Sequence, residues 1–293
     1  MGQSQSAKFD KLFTLICTDN TEELSRQLRS CSSLEQKKCL SNLSDADKAA
    51  TLLMYAAFYG NMAICRLLLE SGAQLFSRDN EGHNVLFYSI AGQAYNVAKY
   101  LIETSLTKFD NEIQKNFINN LDNTGETCLH EAVKIHAISC IELLIKHNID
   151  INIANKDGAT ALHRAVDLGH SDIVRLLIKH KAELNIKDTS GWTPLHFACA
   201  HNDIEIVRLL INRGAYINAT DNQGRTPLKC ARETGSRDVF EYIKNQGGKD
   251  FDSTIKIKRQ ASENSHKKPN SLPKIRSSPI EIATSISNDQ ASI

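Results

Sequence analysis

The sequence predicts an all-α solenoid of stacked helix–turn–helix units over residues 9–249, followed by a disordered tail over 250–293. Three observations lead there. A set of glycine, threonine, leucine and alanine positions recurs every 33 residues. Each unit carries two short apolar-periodic stretches, the signature of paired amphipathic helices. All periodicity stops after Gly247.

The repeat is read first, because a period of this length decides the architecture. Gly125, Gly158, Gly191 and Gly224 are spaced by 33 residues, and Thr127, Thr160, Thr193 and Thr226 follow in the same phase. So do Leu129, Leu162, Leu195 and Leu228, the histidines His130, His163 and His196, and Ala132, Ala165, Ala198 and Ala231. Upstream, Gly82 precedes Gly125 by 43, one period plus a ten-residue insertion, and "TLLMYAAFYGN" (51–61) keeps phase before that. "LFTLICTDNTEELSRQL" (12–28) has the two-helix pattern without the Gly-x-Thr signature and reads as a degenerate cap.

Within a unit, Thr193 followed by Pro194 is a good helix start, a hydroxyl N-cap and then proline at the first helical position. Leu195, Ala198 and Cys199 fall on one face. "DIEIVRLLINRG" (203–214) is the second helix, with Ile206, Leu209 and Leu210 inward and Gly214 placed to end it. Gly72, Asn148 and Gly247 hold the matching place elsewhere, and Lys181 is the uncomfortable occupant of that left-handed position.

"DGATALHRAVDLGHSDIVRLLIKHKAELN" (157–185) and "GWTPLHFACAHNDIEIVRLLINRGAYIN" (191–218) resemble ankyrin repeats. The resemblance covers roughly 9–249 and is most specific over 123–229. It implies antiparallel helix pairs joined by β-hairpin-like fingers, none of which can bury its apolar face alone. It divides the chain into a flexible N-terminus (1–8), a degenerate cap (9–46), repeats at 47–78, 79–121, 122–154, 155–187 and 188–220, and a C-terminal cap (221–249). The 79–121 unit departs from the pattern, with "GHNVLFYSIAGQ" in place of threonine, proline, leucine, histidine. Its extra residues, in "SLTKFDNEIQKNFINN" (105–120), fit a lengthened second helix, an enlarged finger or a tolerated loop.

The net charge of +1 gives no global reason to expect nucleic acid. No apolar run is long enough to span a bilayer, and no secretory h-region precedes the array, so a cytoplasmic protein is expected. The eight cysteines are scattered without a CxxC pair and read as free thiols. Beyond Asp250 seven basic residues face four acidic ones, a composition that cannot bury enough surface to fold.

"HFACAH" (196–201) looks in isolation like part of a zinc site or a Cys/His pair. The phase argues otherwise, since His196 recurs at every turn and Cys199 stands where Val133 and Val166 do. In the family this histidine bonds loop backbone. Asn152, Asn185 and Asn218 match an asparagine that bonds in the turn and is hydroxylated in some ankyrin proteins. With no phosphate loop, HExxH or nucleophile elbow, no enzyme, cofactor or metal is expected.

Binding is the remaining class. The resemblance implies a protein partner of unread identity, contacted through finger tips and first-helix ends on the concave side. By phase these include Phe58, Tyr59, Asp167, Leu168, His201, Asn222, Arg225 and the single tryptophan, Trp192, taken as an exposed hot-spot residue. "MGQSQS" (1–6) fits N-myristoylation at Gly2. One acyl chain binds membranes marginally, so "KIKR" (256–259) is a candidate second signal for anionic lipid, with Ser262 after "KRQA" a candidate phosphorylation switch. The expectation is therefore a monomeric scaffold or adaptor, cytoplasmic or peripheral to a membrane. The alternative is a regulatory or inhibitory subunit, or a pathogen effector that modulates a host enzyme.

Overall fold

The computed structural model describes residues 2–30 and 43–250, with the side chains of 2–6 left out. Ser262 and the basic tail lie outside the described residues. Fifteen helices and no strand are found among the described residues, and they fall into two compact units, 1–150 and 151–293.

In the first unit the helices are α1 (Gly2–Cys17), α2 (Thr21–Arg29), α3 (Leu52–Phe58), α4 (Met62–Glu70), α5 (Val85–Ala91), α6 (Tyr95–Lys108), α7 (Asn111–Ile118), α8 (Cys128–Lys134) and α9 (Ile138–Lys146). First helices pack on first helices, α1 on α3, α3 on α5 and α5 on α8, while α2, α4, α6 and α9 form a second layer. The second unit repeats this with α10 (Ala161–Asp167), α11 (Ser171–Lys179), α12 (Pro194–Ala200), α13 (Ile204–Asn212), α14 (Pro227–Glu233) and α15 (Arg237–Asn245). There α12 lies between α10 and α14, and α13 between α11 and α15.

The first helices are seven residues long in the regular repeats, too short to form alone in water. They persist because they are buried nearly all round. Every residue of α12 is buried, and the alanine at its centre, Ala198, is fully enclosed. The second helices are nine residues long and bury one face only, in α13 Ile206, Val207 and Leu210. The fingers are narrow turns closed by single antiparallel bridges, such as Arg78 to Asn84 and Ala154 to Thr160.

Two segments left open by the sequence take a definite form. The N-terminal residues are helical from Gly2 onward. Of the alternatives for the insertion, the lengthened second helix is the one found, with a further helix added. The insertion is used to extend α6 to 14 residues and to add the eight-residue α7. Asp110 caps α7 by accepting from Ile113 N–H at 2.8 Å, Phe117 and Ile118 are buried, and Asn84 ties the element down through the Phe117 carbonyl at 2.9 Å.

The second helices end in a left-handed residue. Gly214 and Gly247 take φ of 94° and 89° without strain, whereas Lys181 is held at 67°. A side chain in that region costs about 1–2 kcal/mol. Lys181→Gly is therefore expected to raise the stability of the second unit by about 1 kcal/mol in urea unfolding, after the entropy glycine adds to the unfolded chain is deducted.

Candidate functional site

Five fingers are organised by one side-chain oxygen at a fixed phase: Asp79, Asp122, Asn155, Asp188 and Asp221. Oδ1 of each accepts two backbone N–H groups, two and four residues on. In Asp188 these come from Ser190 at 2.9 Å and Trp192 at 2.7 Å, and in Asp221 from Gln223 and Arg225, both at 2.8 Å. Three residues after the oxygen comes the repeat glycine. At Gly191 φ is 80° and the backbone N of Asn222 lies 2.6 Å from where a Cβ would stand, so the next finger can approach only because the side chain is missing. That finger is bonded through Asn222 N–H to the Ser190 carbonyl at 3.1 Å.

The repeat histidines are internal ties. Thr193 N–H donates to His196 Nδ1 at 3.1 Å, which fixes the proton on Nε2, and Nε2 donates to the Arg225 carbonyl of the next finger at 3.2 Å. His163 does the same to the Trp192 carbonyl at 3.2 Å. Burial lowers the pKa of His196 to about 4, so it is neutral near pH 7. Cys199 is fully buried, and among the described residues no cluster of His, Cys, Asp or Glu could hold a metal. "HFACAH" is thus one tie, one core contact and, in His201, one surface residue.

Trp192 is corrected from an exposed partner contact to a buried inter-repeat contact, only 3% exposed. Its indole N–H donates to Asp221 Oδ2 at 3.1 Å, its ring meets Phe197 edge to face at 5.0 Å, and the Arg225 guanidinium lies 5.4 Å from the ring centroid. The physical reason is the carboxylate. A buried Asp221 needs donors beyond the two backbone N–H groups, and the residue just after the finger glycine is the one within reach. Arg225 is held by the same demand, its Nε 2.7 Å from Asp221 Oδ2, and is half-buried rather than free.

The same phase in the first unit is occupied by His83, which sequence reasoning missed. Its Nδ1 lies 3.0 Å from Asp79 Oδ2 of its own finger and its Nε2 lies 3.5 Å from Asp122 Oδ2 of the next. Tyr88 also donates to Asp79 Oδ2, at 2.9 Å. Burial works against the charged imidazole, but the Asp122 and Asp79 carboxylates outweigh it and raise its pKa to about 9. Burial likewise opposes ionisation of the two aspartates, and His83 reverses it, leaving both lowered. Asp188 lacks such a side-chain donor, and burial leaves its pKa raised. The signal was present in sequence, an Asp or Asn three residues before every repeat glycine, with histidine, tryptophan or arginine four residues after it at three places.

The remaining site residues are at the surface. Leu168 and His201 cap α10 and α12. Leu168 is 42% exposed, and beside it His201 Nε2 bonds Asp167 Oδ1 at 2.9 Å, linking the two helix ends. The Asp167 carboxylate, working against partial burial, raises the His201 pKa. Asn222 is exposed at its finger tip, though its amide donates to the Thr189 carbonyl at 2.8 Å. In the first unit Tyr59 is 38% exposed and packs edge to face against the half-buried Phe58 at 5.5 Å. Burial, with Cys17 of α1 nearby, pushes the pKa of its hydroxyl up to about 12.

Removing His83 takes the cationic partner from two buried carboxylates and leaves them only their neutral donors. His83→Gln is expected to destabilise the first unit by about 3–5 kcal/mol. The deficit carries a pH signature. A raised histidine stabilises fully below its unfolded pKa of about 6.5 and loses that contribution as pH rises through about 9. The lowered aspartates contribute above about pH 4 and lose it in acid. Urea unfolding of both proteins across pH should give the largest difference between about pH 4 and 6.5, shrinking toward pH 10.

Comparison with known proteins agrees with this architecture. The family model "Ankyrin repeats (3 copies)" matches residues 17–114, 105–188 and 181–255. The ankyrin repeat domain of Bcl-3, described as a unique member of the IkappaB protein family, is similar in structure with a TM-score of 0.68 and 23% identity, over 80% of this chain and 97% of that one. That likeness is one of fold. A stretch of 117 residues, 40% of this chain, is 26% identical to alpha-latrotoxin-Lg1a of Latrodectus geometricus and spans 8% of that protein's length. With three matches of the family model running from residue 17 to residue 255, the chain belongs to the ankyrin repeat family.

Proposed function

We infer that the chain is a non-enzymatic interaction scaffold that holds a protein partner on its exposed first-helix ends and finger tips. The family and fold support a protein–protein interaction role. The observation that carries the finer reading is the surface at the ends of α10 and α12. An exposed leucine, Leu168, stands beside the Asp167–His201 pair, an apolar anchor next to a polar pair on rigid, short helices. Such a surface is preformed, so little ordering opposes binding on this side. Tyr59 with Phe58 offers an aromatic pair at the corresponding helix end of the first unit. Trp192 and Arg225 hold the fingers rather than the partner.

Leu168→Glu with His201→Ala should weaken capture of the partner recovered by affinity purification by tenfold or more, as expected for a small hot-spot cluster. Helical content by circular dichroism should be unchanged, because both residues lie outside the packed layers. Capture at wild-type strength would remove this surface from the assignment.

A membrane location rests on the N-terminal pattern alone. Gly2 followed by Ser6 supports acylation of an adaptor that is cytoplasmic or peripheral to a membrane, and no helix among the described residues is long and apolar enough to cross one. Gly2→Ala should shift the protein from the membrane to the soluble fraction of a eukaryotic cell. An unchanged distribution would count against acylation.

A further inference from the structure

The lengthened repeat gives the first unit a recess that the regular repeats lack. Regular second helices are nine residues long, as α13 is, whereas α6 runs to 14, so Thr104 to Lys108 form an added stretch at its end. That stretch borders an open cavity of about 260 Å³, walled by Leu69, Ala73, Leu75, Phe76 and Phe109. Phe76 is held from two sides, edge to face on Phe109 at 4.6 Å and on Phe117 of α7 at 5.4 Å. The cavity lies in the second-helix layer, apart from the first-helix ends assigned above to partner capture.

Two polar groups interrupt this apolar lining, and they stand together. Thr104 and Lys108 both line the cavity, and one helical turn separates them, so they emerge on the same face of α6. Thr104 is only 8% exposed. Its carbonyl accepts from the Thr107 hydroxyl at 3.1 Å, but its own hydroxyl has no hydrogen-bond partner among the described residues. Burying a hydroxyl unbonded is costly, and the cavity is where a partner can reach it. The Lys108 ammonium likewise forms no ion pair among the described residues, and the Asp110 carboxylate close to it in sequence is engaged as the cap of α7. A donor hydroxyl and a cation side by side call for an anionic acceptor. The negative end of α6 opposes an anion only within its last turn, and Lys108 stands there as the counter-charge. The remaining walls call for hydrocarbon. An apolar cavity of about 150 Å³ admits benzene, so one of about 260 Å³ takes a chain of roughly ten carbons. We propose that this cavity binds a medium-chain fatty acid, its carboxylate between Thr104 and Lys108 and its chain against Leu69, Leu75, Phe76 and Phe109.

Calorimetric titration of the purified full chain with decanoate tests this. Binding should saturate at one site per chain at concentrations up to about 1 mM, the weak end expected for a ligand of this size. Lys108→Glu, at an exposed position where the fold is retained, should weaken binding by about tenfold or more, because it sets like charge against the carboxylate. Thr104→Val keeps the shape and removes the hydroxyl, and should cost about fivefold. Ala73→Leu fills the recess from the far wall and should abolish the heat of binding while helical content by circular dichroism is unchanged. No saturable binding by the wild-type chain overturns the proposal. So does decanoate bound equally well by Lys108→Glu, or by Ala73→Leu, since the ligand would then lie elsewhere.

Discussion

The structure depends on a single buried oxygen in each finger. A seven-residue helix and a nine-residue helix cannot hold a fold between them, so each repeat must be placed on the next with little freedom. Apolar burial pulls the layers together but has no direction. Direction comes from Asp79, Asp122, Asn155, Asp188 and Asp221, whose Oδ1 atoms close the turns from which every finger is built. With the turn closed, the glycine three residues on can lie against the following finger, and the threonine after it can cap a first helix. The repeat histidine then reaches the carbonyl of the next finger.

Burying a carboxylate at this place has a consequence for the residue that follows the glycine. His83, Trp192 and Arg225 are chemically unlike, yet each brings N–H donors to a finger aspartate. His83 serves two aspartates, and Asp221 is served by two donors, Trp192 from the preceding finger and Arg225 from its own. Where the oxygen belongs to an uncharged amide, Asn155, the same position is filled by Ala159. After Asp122 the position is held by Glu126, an acid that is itself buried, so the extra donors are supplied in some fingers and not in others, while the position is turned inward in each of these cases.

That coupling explains what could be read from the sequence and what could not. The 33-residue period, the helix pairs and the caps follow from local spacing, because each is decided within one repeat or by its exact copy, while the backbone tie made by His196 was implied by the family resemblance. Trp192 was misplaced because its phase matches a variable position, and variability suggested solvent. Its environment is set by Asp221, 29 residues away. His83 was missed because it has left the helix for the finger, with Phe87 standing in the usual histidine phase. The insertion was legible as extra length, but only packing of Phe117 and Ile118 shows that it folds as a helix. Leu168, Asp167 and His201 lie at helix ends opposite the fingers, where neighbours bury them less than the residues of the packed layers.

The separation between inward positions and outward ones is the claim on which the functional account rests. Site-specific photocrosslinking in a cell extract tests it whatever the partner's identity. A photoreactive residue at Leu168 should give a discrete adduct that one at Lys179, exposed on the second-helix layer, does not. Adducts at Lys179 with none at Leu168 would contradict the account.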